Sequence, residues 1–235
     1  MLEIEENLLA VRARIAAACL AADRDLASVQ LLAVSKTFGA AAVEDAHATG
    51  QRDFGENYIQ EGVDKIAALS GLPLVWHCIG PVQSNKTRLV ATHFDWVHSV
   101  DRLKIAQRLS EQRDPVHGLL QVCIQVNVDG GPTKAGVMPE QATELATQIA
   151  ALPGLRLRGI MSIPEPAPDF AAALAVHLRT RALFEELKGA GFALDTLSMG
   201  MSADLEAAIH AGSTMVRVGS AIFGSRPPLR QVLPE

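Results

Sequence analysis

Gln30-Leu-Leu-Ala-Val-Ser-Lys-Thr37 is the stretch that decides the fold. Leu31 to Val34 are apolar in succession, which suits a parallel strand covered on both faces rather than a strand with one wet side. The run then ends in Ser35-Lys36-Thr37. An open doubly wound sheet that binds dinucleotides carries a G-x-G-x-x-G loop at this place, and the loop is missing here.

Seven more runs of the same kind follow: Arg52–Gly55, Leu74–Gly80, Asp95–Asp101, Leu119–Asp129, Leu155–Pro164, Leu194–Gly200 and Thr214–Gly219. Each leads into an Ala/Leu/Glu-rich helical stretch or a loop. Eight βα units in 235 residues predict a (β/α)8 TIM barrel, an α/β fold in one domain over residues 1–235. Glu6 to Ala22 reads as an opening helix, placed within residues 1–25, and residues 226–235 as a loose tail. Gly50, Gly189, Gly191 and Gly212 stand where helices should stop, because a residue without Cβ easily turns left-handed. Pro164-Glu-Pro-Ala-Pro168 reads as a stiff loop.

Composition narrows the function. The net charge is −5, which disfavours nucleic acid as a partner. No apolar run approaches the ~20 residues of a membrane helix, and the acidic start Met1 to Glu6 is unlike a basic signal peptide. Cys19, Cys78 and Cys123 are scattered, odd in number and without C-x-x-C spacing. They are expected to be free, buried thiols in a reducing compartment, which points to the cytoplasm. No metal site is expected.

A barrel of this type keeps its chemistry at the C-terminal ends of the strands. Lys36 stands at the first such end, where desolvation and a nearby cation would make it a Schiff-base lysine. A lysine there also snorkels to solvent, and the residue alone does not choose between the two. Phosphate in such barrels sits on the loops after strands seven and eight, beside a helix N-terminus. Ser202 reads as the N-cap of the next helix, and Gly219 and Ser220 offer close backbone approach and a hydroxyl. Capping and turning alone would also account for them. Arg217 lies on the last strand. Against a pyridine nitrogen, arginine can only donate, so the ring would stay largely unprotonated and a weaker electron sink. Its alternative partner is a carboxylate such as Asp195 or Glu56. His77 reads as a core histidine bonded to a backbone carbonyl.

Six blocks together carry a family resemblance: Phe54-Gly-Glu-Asn-Tyr58, His77-Cys-Ile-Gly-Pro-Val-Gln-Ser-Asn-Lys86, Val126-Asn-Val with Lys134-Ala-Gly136, Gly159-Ile-Met161, Leu197-Ser-Met-Gly-Met-Ser202 and Val216-Arg-Val-Gly-Ser-Ala-Ile-Phe-Gly224. From about Leu31 to Gly224 the chain resembles the pyridoxal phosphate homeostasis proteins. It departs from their usual pattern at Cys78 and Val82, and in Ser225-Arg226-Pro227, where a tyrosine often follows. The resemblance implies a barrel like the N-terminal domain of alanine racemase, with pyridoxal 5′-phosphate (PLP) as a Schiff base on Lys36. It implies Asn57 beside the cofactor and Arg217 at the ring nitrogen. Ser198, Met199, Ser202, Gly219 and Ser220 complete the expected cofactor site. Lys86 and Lys134 are candidates for a second PLP site or for solvated charges. The implied role is storage, buffering or delivery of PLP, with PLP-dependent apoenzymes as possible recipients, a monomer as the expected state and no robust catalysis.

Two rivals follow from the same residues. An amino-acid racemase needs an acid/base on each face of the substrate carbon. The alanine racemase family takes the second base, a tyrosine, from a C-terminal domain, and this sequence holds one tyrosine, Tyr58. A phosphosugar-binding barrel would share the phosphate loops but would not need Lys36.

Overall fold

In the computed structural model, which describes residues 2–131 and 134–224, eight parallel strands close on themselves in chain order. They are β1 (Gln30–Val34), β2 (Asp53–Glu56), β3 (Val75–Cys78), β4 (Trp96–Val100), β5 (Leu120–Val126), β6 (Leu155–Ser162), β7 (Thr196–Ser198) and β8 (Met215–Val218). The barrel closes where β1 pairs with β8, Leu31 beside Val216 and Leu32 beside Arg217. All eight expected strands are present, each shorter than its run except β2, which is shifted one residue on. β5 stops at Val126, where the chain bends back to form a lone bridge with Val137.

The helices are α1 (Leu2–Ala21), α2 (Ala40–Ala48), α3 (Ile59–Ala68), α4 (Thr87–His93), α5 (Leu103–Gln112), α6 (Ala142–Ala150), α7 (Phe170–Gly189), α8 (Leu205–His210) and α9 (Ser220–Phe223). Alternation along the strands sends neighbouring side chains to opposite sides of the wall. Ala33 and Phe54 belong to the large core between strands and helices. Leu32 and Val34 point the other way and form a small cluster with Ile79 and Met215 in the bore. α1 extends the outer core through Leu8, Val11, Ile15 and Cys19, spaced three to four residues apart, the repeat of one helix face.

Two features correct the sequence reading. Gly189 is the last residue of α7, and Gly191, at φ 96°, makes the left-handed turn. Ser202 is not a helix cap. α8 begins at Leu205 with Asp204 at the N-cap, and Asp204 turns its carboxylate to the Met201 N–H (2.7 Å) and to His177 Nε2 (2.9 Å). The three cysteines are free and buried, as expected. Residues 226–235 lie outside the described residues, and so does Ser225.

Candidate functional site

The strand ends converge on a cavity of about 320 Å³. Lys36, Asn57, Ser202, Arg217, Gly219 and Ser220 all line it, between apolar walls that include Val34, Ile79 and Met201. Four separate strand ends supply these residues, as the fold requires of a site at this face.

Asn57 follows β2, and its seat is built by a glycine. A Cβ on Gly80 would fall onto the Asn57 carbonyl, so only glycine lets the loop after β3 pass this close. Asn57 Oδ1 is buried without a hydrogen-bond partner among the described residues, and so is Thr37 Oγ1. Buried acceptors of this kind are ordinarily satisfied, which leaves Asn57 ready for a ligand donor.

Ser202 and Ser220 bring their hydroxyls within 3.4 Å of each other. α1 holds this corner from behind. Arg14 donates to the Ser202 carbonyl (3.0 Å) and pairs with Glu206 (2.7 Å), and Asn7 donates to the Ile222 carbonyl in α9 (3.0 Å). Gly200, at φ 94°, has no room for a Cβ beside Ala208, so the loop after β7 takes a path reserved for glycine. Gly219 passes so close to β1 that a Cβ would stand 3.1 Å from the Val34 carbonyl oxygen. Two hydroxyls and bare backbone at one corner form a seat for an anion.

Arg217 is buried, and its pairing is not with Asp195 or Glu56. It donates to the Ser198 carbonyl (2.7 Å), to Ser198 Oγ (2.8 Å) and to the Ser162 carbonyl (2.8 Å). Burial pushes the guanidinium down to about 10, so it remains a cation near neutrality. A guanidinium has five N–H groups, and these bonds use three of them. Asp195 is held below the usual carboxylate range by Arg158, against the effect of its own burial.

Ser198 and Met199 were expected at the ligand and are not in the cavity wall. Ser198 stands behind Arg217, and Met199 is packed in the core. Behind them runs a chain that the sequence reading missed. His98 Nδ1 lies 2.9 Å from Ser198 Oγ, His98 Nε2 lies 2.9 Å from His77 Nδ1, and His77 Nε2 lies 3.2 Å from Asp53 Oδ1. His77 therefore has two side-chain partners rather than a backbone carbonyl. Arginine only donates, and a run in which Ser198 donates to His98, His98 to His77 and His77 to Asp53 satisfies every member. His98 is neutral in this arrangement. Burial, then His77 and Arg217, holds His98 well below 6.5.

Lys86 and Lys134 are outside the cavity wall. Lys86 ends a short 3₁₀ turn before α4, and Lys134 pairs with Glu165 at 2.9 Å.

The site thus offers an amine, a fixed cation and an anion seat within one cavity. The family model described as the alanine racemase N-terminal domain matches residues 7–227. A pyridoxal phosphate homeostasis protein of Pseudomonas aeruginosa is 59% identical over 226 residues, covering 96% of this chain and 97% of the relative. This chain belongs to the pyridoxal phosphate homeostasis protein family. The Escherichia coli member is 50% identical, over 96% of this chain and 98% of its own. Among solved structures, PipY of Synechococcus elongatus with PLP bound matches at a TM-score of 0.83 and 38% identity, covering 94% of this chain and all of the other. A Clostridium difficile alanine racemase shares the fold at a TM-score of 0.77 and 16% identity, and this chain covers 58% of it.

Proposed function

We propose that the chain holds PLP in this cavity as a Schiff base on Lys36, and serves intracellular PLP homeostasis by storing, buffering or delivering it. PLP supplies an aldehyde that condenses with an amine, a ring nitrogen that accepts a hydrogen bond, and a phosphate. One observation carries the reading: Lys36, Arg217 and the Ser202–Ser220 pair line the same cavity. Arg217 suits the ring nitrogen because two of its N–H groups are not used in the bonds to Ser198 and Ser162. Ser202, Ser220 and the Gly219 backbone suit the phosphate, and Asn57 Oδ1 awaits a donor. A phosphosugar would leave the amine and the apolar walls without a purpose.

A carrier is favoured over a racemase by Tyr58. This lone tyrosine is 57% exposed and absent from the cavity wall, so this chain places no tyrosine opposite Lys36. PLP-dependent apoenzymes are the natural recipients of a cofactor held at an open strand end. We extend the reading to a monomer in the cytoplasm. Among the described residues no helix is long and apolar enough to cross a membrane.

The test is a visible spectrum of the purified protein before and after borohydride. A yellow band that borohydride bleaches while leaving the pyridoxyl group attached to the Lys36 peptide, and that Lys36→Ala abolishes, is the expected result. Protein that stays colourless with added PLP overturns the reading. Racemisation of a common amino acid at enzyme-like rates, lost in Lys36→Ala, overturns the carrier role.

A further inference from the structure

Lys36 sits in a tight turn whose strain is held by a buried ionic cluster. The Phe38 N–H donates to the Ser35 carbonyl at 3.1 Å, closing a turn over Ser35, Lys36, Thr37 and Phe38. Thr37 occupies its third position at φ 70°. Glycine is usual there, because a side chain clashes in the left-handed region, and a β-branched one clashes most.

The surroundings of this turn are unusual for a protein interior. Lys65 of α3 is buried, and its amine reaches the Ser35 carbonyl, Glu56 Oε1 and Glu61 Oε1, each at 2.7 Å. Glu61 Oε1 also accepts the Thr37 N–H at 2.6 Å, and Ser35 donates its hydroxyl to Glu56 at 2.6 Å. The residues before and after Lys36 are therefore both tied to one cluster. Buried ion pairs contribute little to stability over apolar packing, because desolvation offsets their attraction. What they fix well is geometry. Glu56 Oε2 is left buried and without a partner among the described residues, a further cost that packing alone does not explain.

We propose that Lys65, Glu56 and Glu61 are positioning residues for Lys36: they clamp its turn from both sides and hold Thr37 left-handed, so that the Lys36 amine is aimed before PLP arrives. The proposal rests on the reading of Lys36 as the attachment point. The clamp does not touch the cofactor, since none of its three residues lines the cavity. It removes the search over turn conformations that the amine would otherwise make for each capture, which is the usual gain from preorganisation.

The test uses the full chain. Lys65→Met strands the buried Glu56 carboxylate and reports on folding, so Glu61→Ala is the primary variant. Its side chain is 29% exposed, and the change leaves the Lys65–Glu56 pair in place. Two quantities are read: the rate of PLP capture from the growth of the visible band, and hydrogen exchange at the Thr37 amide without PLP. Glu61→Ala is expected to slow capture about tenfold, the scale of one strained backbone residue, and to expose the Thr37 amide. Thr37→Gly relieves the strain, so Glu61→Ala in that background is expected to lose less than threefold. A purely structural role for Glu61 gives the same loss in both backgrounds and overturns the clamp, as does full-speed capture by Glu61→Ala. Wild-type protein that takes up no PLP, yet protects its Thr37 amide, overturns the cofactor reading instead.

Discussion

His98 Nδ1 lies 2.9 Å from Ser198 Oγ, although 100 residues separate them along the chain. That contact joins Arg217, in the cavity wall, to Asp53 at the start of β2. His98 is buried and neutral there. Its folded pKa is well below 6.5 through burial, then the neighbouring His77 and Arg217. The unfolded chain therefore takes up this proton first. Stability from this residue is complete above the unfolded value of 6.5 and is lost as pH falls below it, by up to about 1.4 kcal/mol per pH unit. Urea midpoints at pH 7.5 and pH 5.5 should fall closer together in His98→Phe than in the wild-type protein. An unchanged pH slope would contradict the neutral assignment.

Arg217→Met leaves the Ser198 and Ser162 carbonyls without their donor. Orphaned buried acceptors cost about 1–3 kcal/mol each, partly offset here by removing a buried charge. We expect a lower melting temperature and a displaced visible band when PLP is bound. Arg217→Lys should not restore the band, because an ammonium cannot bridge two carbonyls and a ring nitrogen in one plane. Full rescue by lysine would show that only the charge matters.

Gly80→Ala pushes a methyl group onto the Asn57 carbonyl. Overpacking of this kind costs about 1–3 kcal/mol. Since the displaced backbone is that of a cavity residue, PLP affinity should fall with the melting temperature. Gly71→Ala, where an added Cβ meets nothing, is the control and should leave both unchanged.

Ser202→Ala and Ser220→Ala each remove a hydroxyl from the anion corner. A hydrogen bond to a charged group contributes about 1.5–3 kcal/mol, so each change should weaken PLP binding by tenfold or more. Pyridoxal, which lacks the phosphate, should bind both variants as it binds the wild type. Equal losses for PLP and pyridoxal would move the phosphate elsewhere.

Much of this architecture was legible because it is local. Leu31 to Val34 and its seven counterparts are short apolar runs with clear stops, and parallel pairing follows from their lack of alternation. Lys36, Arg217, Gly219 and Ser220 were singled out because a barrel puts its site at strand ends, Asn57 through the family resemblance, and all five line one cavity. Ser202 shows the limit of local signals. It resembles a cap, but Asp204 two residues on holds the N-cap, and Ser202 is free to face the cavity.

His98 and Lys65 were not legible at all. His98 sits in Trp96-Val-His-Ser-Val100, which reads as strand filler, and its partners come from β3 and β7. Lys65 lies on a helix among Gln, Glu and Asp, where a solvated lysine is the ordinary expectation. Nothing nearby in the chain shows that Glu56 and the Ser35 carbonyl wait beneath it. Ser198, expected at the ligand, supports Arg217 from behind, a contact between β7 and β8 that no local pattern shows.

The closure of β1 onto β8 sets a timetable for synthesis. Lys36 is translated early, while Arg217, Gly219 and Ser220 come close to the end. A ribosome-bound chain that has made only the first seven strands has the lysine but neither the cation nor the anion corner. The cavity that these residues line is complete only once β8 has left the exit tunnel and paired with β1. A chain stopped before β8 has the lysine without the wall that would surround it.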